Sequence, residues 1–351
     1  METRVLTAGS PDAALVTRWS RTASVALAAG TAVVVMLAAV PYYGGGPAEQ
    51  PLITLFTFIA LASLWNLLAG FAGLTSFGQQ AYLGIGAYAL YLVAAHGINP
   101  FLGLPVAAVA AAVAALPVSL LVLRLAGGYF AVGTWVIAQI FQILATISPA
   151  VGGNTGVSVP GLSGYTSVVR QALTYWCTLA VAVASVAGVY LLVRGTFGLD
   201  VRAARSQPAA AVSVGIRVGR TRRLAYCVAA LGTGAVGAVL ALQSLYVEPS
   251  SIFGVQYSVY MMFMVLIGGL GTVEGPVCGA LVLFLLQESL SGYGAWYLVL
   301  VGGLAVLAAL FAQRGLWGSA RARWGWSLLP VGYRLRSPQD RKYPVSRTGA
   351  R

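Results

Sequence analysis

Ten apolar stretches recur along the chain, at about 22–43, 52–70, 77–95, 101–123, 128–148, 174–193, 224–246, 258–273, 276–291 and 295–313. Most approach the ~20 residues that cross a ~30 Å hydrocarbon core. A backbone amide inside lipid finds no water, so only helices and closed barrels can span. A barrel strand alternates apolar and polar residues over about ten positions, whereas Val106 to Leu123 has Ser119 as its one polar side chain. The sequence therefore predicts an all-α, polytopic helical membrane protein with about ten transmembrane or partly re-entrant helices. Charged residues make up 8% of the chain, against about 25% in soluble domains, which leaves no room for a sizeable aqueous domain.

The net charge of +13 is a matter of topology. With the N-terminus in the cytoplasm and all ten segments spanning, 20 of the 21 basic residues fall in cytoplasmic pieces, as the positive-inside rule requires. The exception is Arg170, in the long external loop 149–173. No nucleic-acid partner is needed to explain the charge. This orientation divides the chain into a cytoplasmic N-terminal segment 1–21, a membrane domain 22–313 with a cytoplasmic loop 194–223, and a basic cytoplasmic tail 314–351. The first stretch is too long for the core of a signal peptide and reads as an uncleaved helix. In the tail, Trp317, Trp324 and Trp326 stand among arginines, a mixture suited either to an anionic membrane surface or to a solvated end.

Cys177, Cys227 and Cys278 lie in separate apolar stretches, and His96 is the one histidine. Neither a disulfide framework nor a metal site is indicated. Gly161-Leu-Ser-Gly164 fits the serine motif of an intramembrane protease, but Ser163 follows a proline in a loop and His96 lies elsewhere in the chain, so no base is at hand.

Several stretches resemble the permease subunit of branched-chain amino acid ABC importers. They are Asn66-Leu-Leu-Ala-Gly70, Ser76-Phe-Gly-Gln-Gln80, Gly84-Ile-Gly-Ala-Tyr88, Gly128-Tyr-Phe-Ala131, Gly152-Gly-Asn-Thr-Gly156, Gly268 to Ala280, Leu285-Leu-Gln-Glu288 and Arg314-Gly-Leu-Trp-Gly318. The resemblance runs from about Leu52 to Gly318. It implies a homologous second permease, two cytoplasmic ATPase subunits and an external substrate-binding protein, with ATP and Mg held by the ATPases and no cofactor on this chain. The residues agree on that last point. Lys342, the one lysine, is not preceded by the spaced glycines of a phosphate-binding loop.

Within loop 194–223, Ala210-Ala-Val-Ser-Val-Gly215 is similar to the ATPase-coupling motif of importer permeases, Glu-Ala-Ala followed by three residues and Gly. Ala209 stands in place of the glutamate, which removes an acidic partner and keeps the shape. Arg205, Ala209, Ala210, Ala211 and Gly215 are the candidate coupling residues, on a short helix that begins at Pro208. Candidates for the translocation path are the buried-polar set Asn66, Gln79, Gln80, Gln139 and Gln142, and the glycine-rich break Gly268, Gly269, Gly271, Thr272, Gly275 and Pro276. Polar side chains in spans face a bundle interior or a cavity, or simply bond a neighbouring helix. A second interruption, Gly70 to Gly78, sits in the first half of the chain and is only loosely like the other. Broken helices often line transport paths, although a single glycine more often serves close packing.

The substrate implied by the resemblance is leucine, isoleucine or valine. Urea or short amides are the alternative within the family, and an ion-coupled secondary transporter the alternative outside it. The orientation is tested by single cysteines at Ser206 and Ser163 in a chain freed of its three native cysteines. An impermeant reagent added outside intact cells is expected to label position 163 and not 206.

Overall fold

The computed structural model describes residues 15–17, 21–43, 49–162, 164–290, 299–300, 302–303, 315–324 and 334–336. Among them, helices dominate. The chain order is β1 (Leu15–Thr17), α1 (Arg21–Ala38), α2 (Val40–Tyr43), α3 (Glu49–Asn66), a π-turn (Leu67–Ala72), α4 (Gln80–Ala95), α5 (Gly103–Val122), α6 (Gly128–Ile147), β2 (Val157–Ser158) and α7 (Ser167–Arg194). Then come α8 (Thr196–Ser206), α9 (Pro208–Ser213), α10 (Val218–Ser244), β3 (Tyr246–Val247), α11 (Pro249–Ile252), α12 (Gln256–Gly268), α13 (Glu274–Leu290), a helix at Gly315–Trp324, and β4 (Arg334–Arg336). β4 pairs antiparallel with β1, and β3 with β2.

Among the described residues, six helical stretches are long and apolar enough to cross a membrane. Nine of the ten apolar windows coincide with helix; the tenth, 295–313, lies almost wholly outside the described residues, as do Ser163 and most of the tail. The boundaries move where charge begins. α7 starts at Ser167 rather than 174, and α10 at Val218 rather than 224, because a helix continues into water through residues that an apolar window rejects. Likewise the window 258–273 understates its element: α11 and α12 together run from Pro249 to Gly268, long enough to span.

The core sits where α3, α4, α10 and α12 meet. Trp65, Tyr82, Tyr175, Tyr226 and Phe263 are among its fully buried side chains. Glycine brings the backbones together: a Cβ on Gly86 would lie 2.0 Å from the Gly234 carbonyl oxygen, and one on Gly237 would lie 2.0 Å from that of Leu83. Lipid supplies no hydrophobic drive between helices, so such close approach supplies dispersion contact in its place. Tyr82 and Tyr226 pack edge to face, ring centres 5.8 Å apart, in the geometry that aromatic quadrupoles favour. On the periphery, Tyr175 Oη and Trp176 Nε1 donate to the carbonyls of Leu37 and Ala38 at 2.7 and 3.0 Å, binding the end of α1 to α7.

The ends of the bundle differ in their exposed elements. At one end, β2 and β3 join the loop after α6 to the segment after α10. At the other lies the α8–α9 segment, beside the buried π-turn and the turn between α12 and α13. The packing at the α4–α10 crossing makes a direct expectation: Gly237→Val forces the backbones apart and is expected to destabilise the protein by about 1–3 kcal/mol, read as a lowered melting temperature in detergent.

Candidate functional site

The π-turn interrupts α3 at the first sequence break. A π-turn widens the helix and leaves its hydrogen-bond ladder poorly matched to the next turn of chain. Here it ends at Gly73, which adopts φ +69°, and the chain then runs without regular structure from Leu74 to Gly78. This irregular backbone lies inside the bundle, where it must be satisfied by protein. Trp65 Nε1 donates to the Ser76 carbonyl at 2.8 Å, and the Phe77 N–H donates to Thr134 Oγ1 at 3.1 Å. Ser258 Oγ donates to the Phe77 carbonyl at 3.3 Å.

The second break turns on glycines with positive φ, Gly269 at +128° and Gly271 at +77°, a region that side chains rarely enter. The two breaks are about two hundred residues apart in sequence and meet in space. Asn66, fully buried, joins them through both halves of its amide. The Gly271 N–H donates to Asn66 Oδ1 at 2.9 Å, and Asn66 Nδ2 donates to the Thr272 carbonyl at 2.7 Å. Thr272 Oγ1 in turn donates to the Gly269 carbonyl and accepts from the Gly275 N–H. A Cβ on Gly70 would lie 2.7 Å from Gly271 N, so the breaks also approach backbone to backbone.

Gly268 and Gly275 serve the hairpin itself. A Cβ on Gly268 would stand 1.9 Å from the Gly275 carbonyl oxygen, and one on Gly279 would stand 1.7 Å from that of Met264. Pro276 is buried in the first turn of α13, where its missing N–H costs nothing. Gln79 and Gln80, both fully buried, hold the start of α4 against other helices: Gln79 Oε1 accepts from Thr233 Oγ1 at 3.2 Å, and Gln80 Oε1 from Ser258 Oγ. Gln139 and Gln142 are set apart from this group. They are half-buried on α6, whose outer face carries exposed Val132, Val136, Ile140 and Ile143. A cavity of about 520 Å³ lies among α3, α5, α7 and α10, lined by Leu64, Ala108, Val181, Leu231 and other small or apolar residues. None of the polar candidates lines it.

In the 194–223 loop, helix α9 begins at Pro208, and a second helix, α8, precedes it, with no apolar window to announce it. Ala211 is the inward anchor of α9, whereas Ala209, Ala210, Val212 and Val214 face outward. Gly215 ends the unit at φ +89° with open space around it. The arginines do more than set charge. Arg202 donates to the carbonyls of Gly198 and Val193 at 2.9 and 3.0 Å, and Arg222 to that of Ala204 at 3.1 Å. The bonds to Val193 and Ala204 close helix ends whose last carbonyls have no partner in the helix, and positive charge there is favoured by the helix dipole. Arg205 reaches further, donating from Nη1 to the Gly70 carbonyl. His96 shares a bond with the Leu92 carbonyl on its own helix at 2.7 Å, and no metal-binding cluster occurs among the described residues.

A helical bundle that bears an outward-facing, alanine-rich helix on an arginine-lined loop, joined to broken spans, defines a transport permease. Residues 50–310 match the family model described as branched-chain amino acid transport system, permease component, and the chain belongs to that family. It is 27% identical to the high-affinity branched-chain amino acid transport system permease protein LivM of Escherichia coli (strain K12), over 74% of this chain and 67% of that protein. Shorter similarities reach the autoinducer 2 import system permease protein LsrC of Klebsiella pneumoniae, 31% identical over 38% of this chain and 40% of that one. The L-arabinose ABC transporter permease protein AraH of Azospirillum brasilense is 29% identical over 35% and 39%. No solved structure matches the chain.

Asn66 is the residue on which the meeting of the breaks rests. Asn66→Ala leaves the Gly271 N–H and Thr272 carbonyl without it, and a buried polar group so orphaned costs about 1–3 kcal/mol. A lowered melting temperature, followed by tryptophan fluorescence, is expected for Asn66→Ala. The same is expected for Asn66→Asp, which keeps the acceptor and loses the donor.

Proposed function

We propose that this chain is a membrane permease subunit of an ATP-driven importer for leucine, isoleucine and valine, and that it works by alternating access. Beside it stand a homologous second permease, two cytoplasmic ATPase subunits that hold ATP and Mg, and an external substrate-binding protein. Both termini are cytoplasmic. The observation that carries the substrate is the extent of the LivM similarity, 74% of this chain against 38% and 35% for the autoinducer and arabinose permeases. The chemistry agrees with it. The buried polar side chains at the two breaks are neutral amides and hydroxyls, which suit a net-neutral zwitterion with an apolar side chain. Urea is neutral too and remains the second reading within the family.

The ATPase docks on α9. Its outward Ala209, Ala210 and Val212 form a small apolar knob able to lie in a groove, while Ala211 fastens it inward and Gly215 lets the chain turn away. Gln79, Gln80, Thr233 and Ser258, buried among α4, α10 and α12, line the path when the bundle opens.

In cells lacking other leucine carriers, deletion of this chain is expected to abolish energy-dependent uptake of radiolabelled leucine. Uptake restored by the chain should be competed by excess isoleucine. Survival of leucine uptake together with loss of urea, amide or arabinose uptake would overturn the substrate and leave the permease role.

A further inference from the structure

We propose that Arg205 is a positioning residue that carries movement of the α8–α9 segment to the turn between α12 and α13. The inference rests on the reading of α9 as the ATPase-docking helix and assigns the route by which that docking reaches the membrane. α8 ends at Ser206 and α9 begins at Pro208, so Arg205 lies within one helical turn of the outward-facing knob. The proline fixes φ at its own position and removes a backbone donor, which makes the link between them short and stiff.

The Arg205 side chain leaves its own segment. Arg202 of α8 bonds Val193 of α7, and Arg222 of α10 bonds Ala204 of α8, so both tie α8 to the long helices on either side of it in sequence. Arg205 instead crosses to the π-turn, donating to the Gly70 carbonyl. That carbonyl lies in the last turn of a helix, where oxygens lack helical partners and the dipole favours a cation. The aliphatic stem is seated as well. A Cβ on Gly73 would fall 2.9 Å from Arg205 Cγ, and one on Gly271 would fall 3.5 Å from Arg205 Nη1 and 3.1 Å from the Gly70 oxygen. Two glycines at positive φ thus leave the space that the arginine occupies.

From Gly70 the path continues without a gap. Gly70 abuts Gly271 backbone to backbone, and the Asn66 amide clamps Gly271 and Thr272 from the preceding turn of α3. Gly315, at the head of the helix Gly315–Trp324, packs its backbone against Gly269. A displacement of α9 therefore acts on the guanidinium, then on the Gly70 carbonyl, and through it on the one turn that joins α12 to α13. The planar fork of arginine resists rotation when it is bonded and seated; a lysine ammonium on a flexible stem follows such a displacement less faithfully.

An arginine that only caps the π-turn would stabilise the fold and nothing else, and the two roles separate in the stoichiometry of transport. The complete transporter, permease with its partner subunits, is reconstituted in liposomes and the ATP hydrolysed per leucine imported is measured. For Arg205→Ala, with the ATPases co-purifying in normal amount, this ratio is expected to rise about tenfold, within the span of coupling energies between sites. Arg205→Lys should recover part of the loss. A wild-type ratio, or hydrolysis and uptake that fall in proportion, would overturn the proposal. Should Arg205→Ala not survive purification, Arg205→Gln, a shorter and uncharged side chain that still carries an N–H donor, is judged by the same ratio. Val212→Glu on the outer face of α9 checks the underlying reading separately: it is expected to reduce co-purification of the ATPases, and full co-purification would remove α9 as their docking site whatever Arg205 does.

Discussion

A peptide group that leaves helix geometry in the packed interior of a bundle must find its partners in protein, and the two broken segments of this chain meet that demand by supplying one another. Asn66 provides both halves of the solution. Its carboxamide accepts from Gly271 and donates to the Thr272 carbonyl, so one side chain completes a turn that no nearby residue completes. Without it, the glycine-rich stretch from Gly268 to Gly275 would carry orphaned groups in a place where each costs kilocalories. The contact of Gly70 with Gly271, the seat of Arg205 and the approach of Gly315 all depend on that turn being held.

The class of fold was legible from the apolar stretches alone, since uncharged runs near span length admit little besides helices. The ends of helices were less so. α7 and α10 extend into residues such as Arg170, Arg220 and Arg222 that an apolar window discards, although a helix has no reason to stop at the lipid boundary. α8 escaped for a related reason: Thr196 to Ser206 carries Asp200, Arg202 and Arg205 and has neither the hydropathy of a span nor a strong cap. The break at Gly268–Pro276 was visible as a pattern of glycines and a proline. Its partner was visible too, at Gly70–Gly78, but nothing in a linear pattern says that breaks two hundred residues apart share one asparagine. Pairing of that kind is decided by helix packing, and packing is not periodic.

The arginines teach the complementary lesson. Read as charges, the seven of the 194–223 loop bear on which side of the membrane the loop occupies, and a count suffices for that. As donors, Arg202, Arg205 and Arg222 each have a separate address, a carbonyl at the end of a particular helix. The positive-inside rule and helix-end capping select the same residue type at the same depth for different physical reasons. Composition therefore bears on the side to which the arginines belong and says nothing of the bonds they hold.

The π-turn at Leu67–Ala72 gives this arrangement an unusual kind of fragility. Because its hydrogen bonds skip one residue more than those of an α-helix, it behaves as a one-residue insertion at the end of an otherwise regular rod. Loss of a single residue there would let the rod rewind into plain α-helix, turning everything beyond it by about 100° and carrying the Gly70 carbonyl away from Arg205. Substitutions in this stretch other than at Gly70 leave the frame intact, whereas a deletion shifts it. The segment is thus a site where chain length, more than side-chain identity, sets the alignment of distant parts.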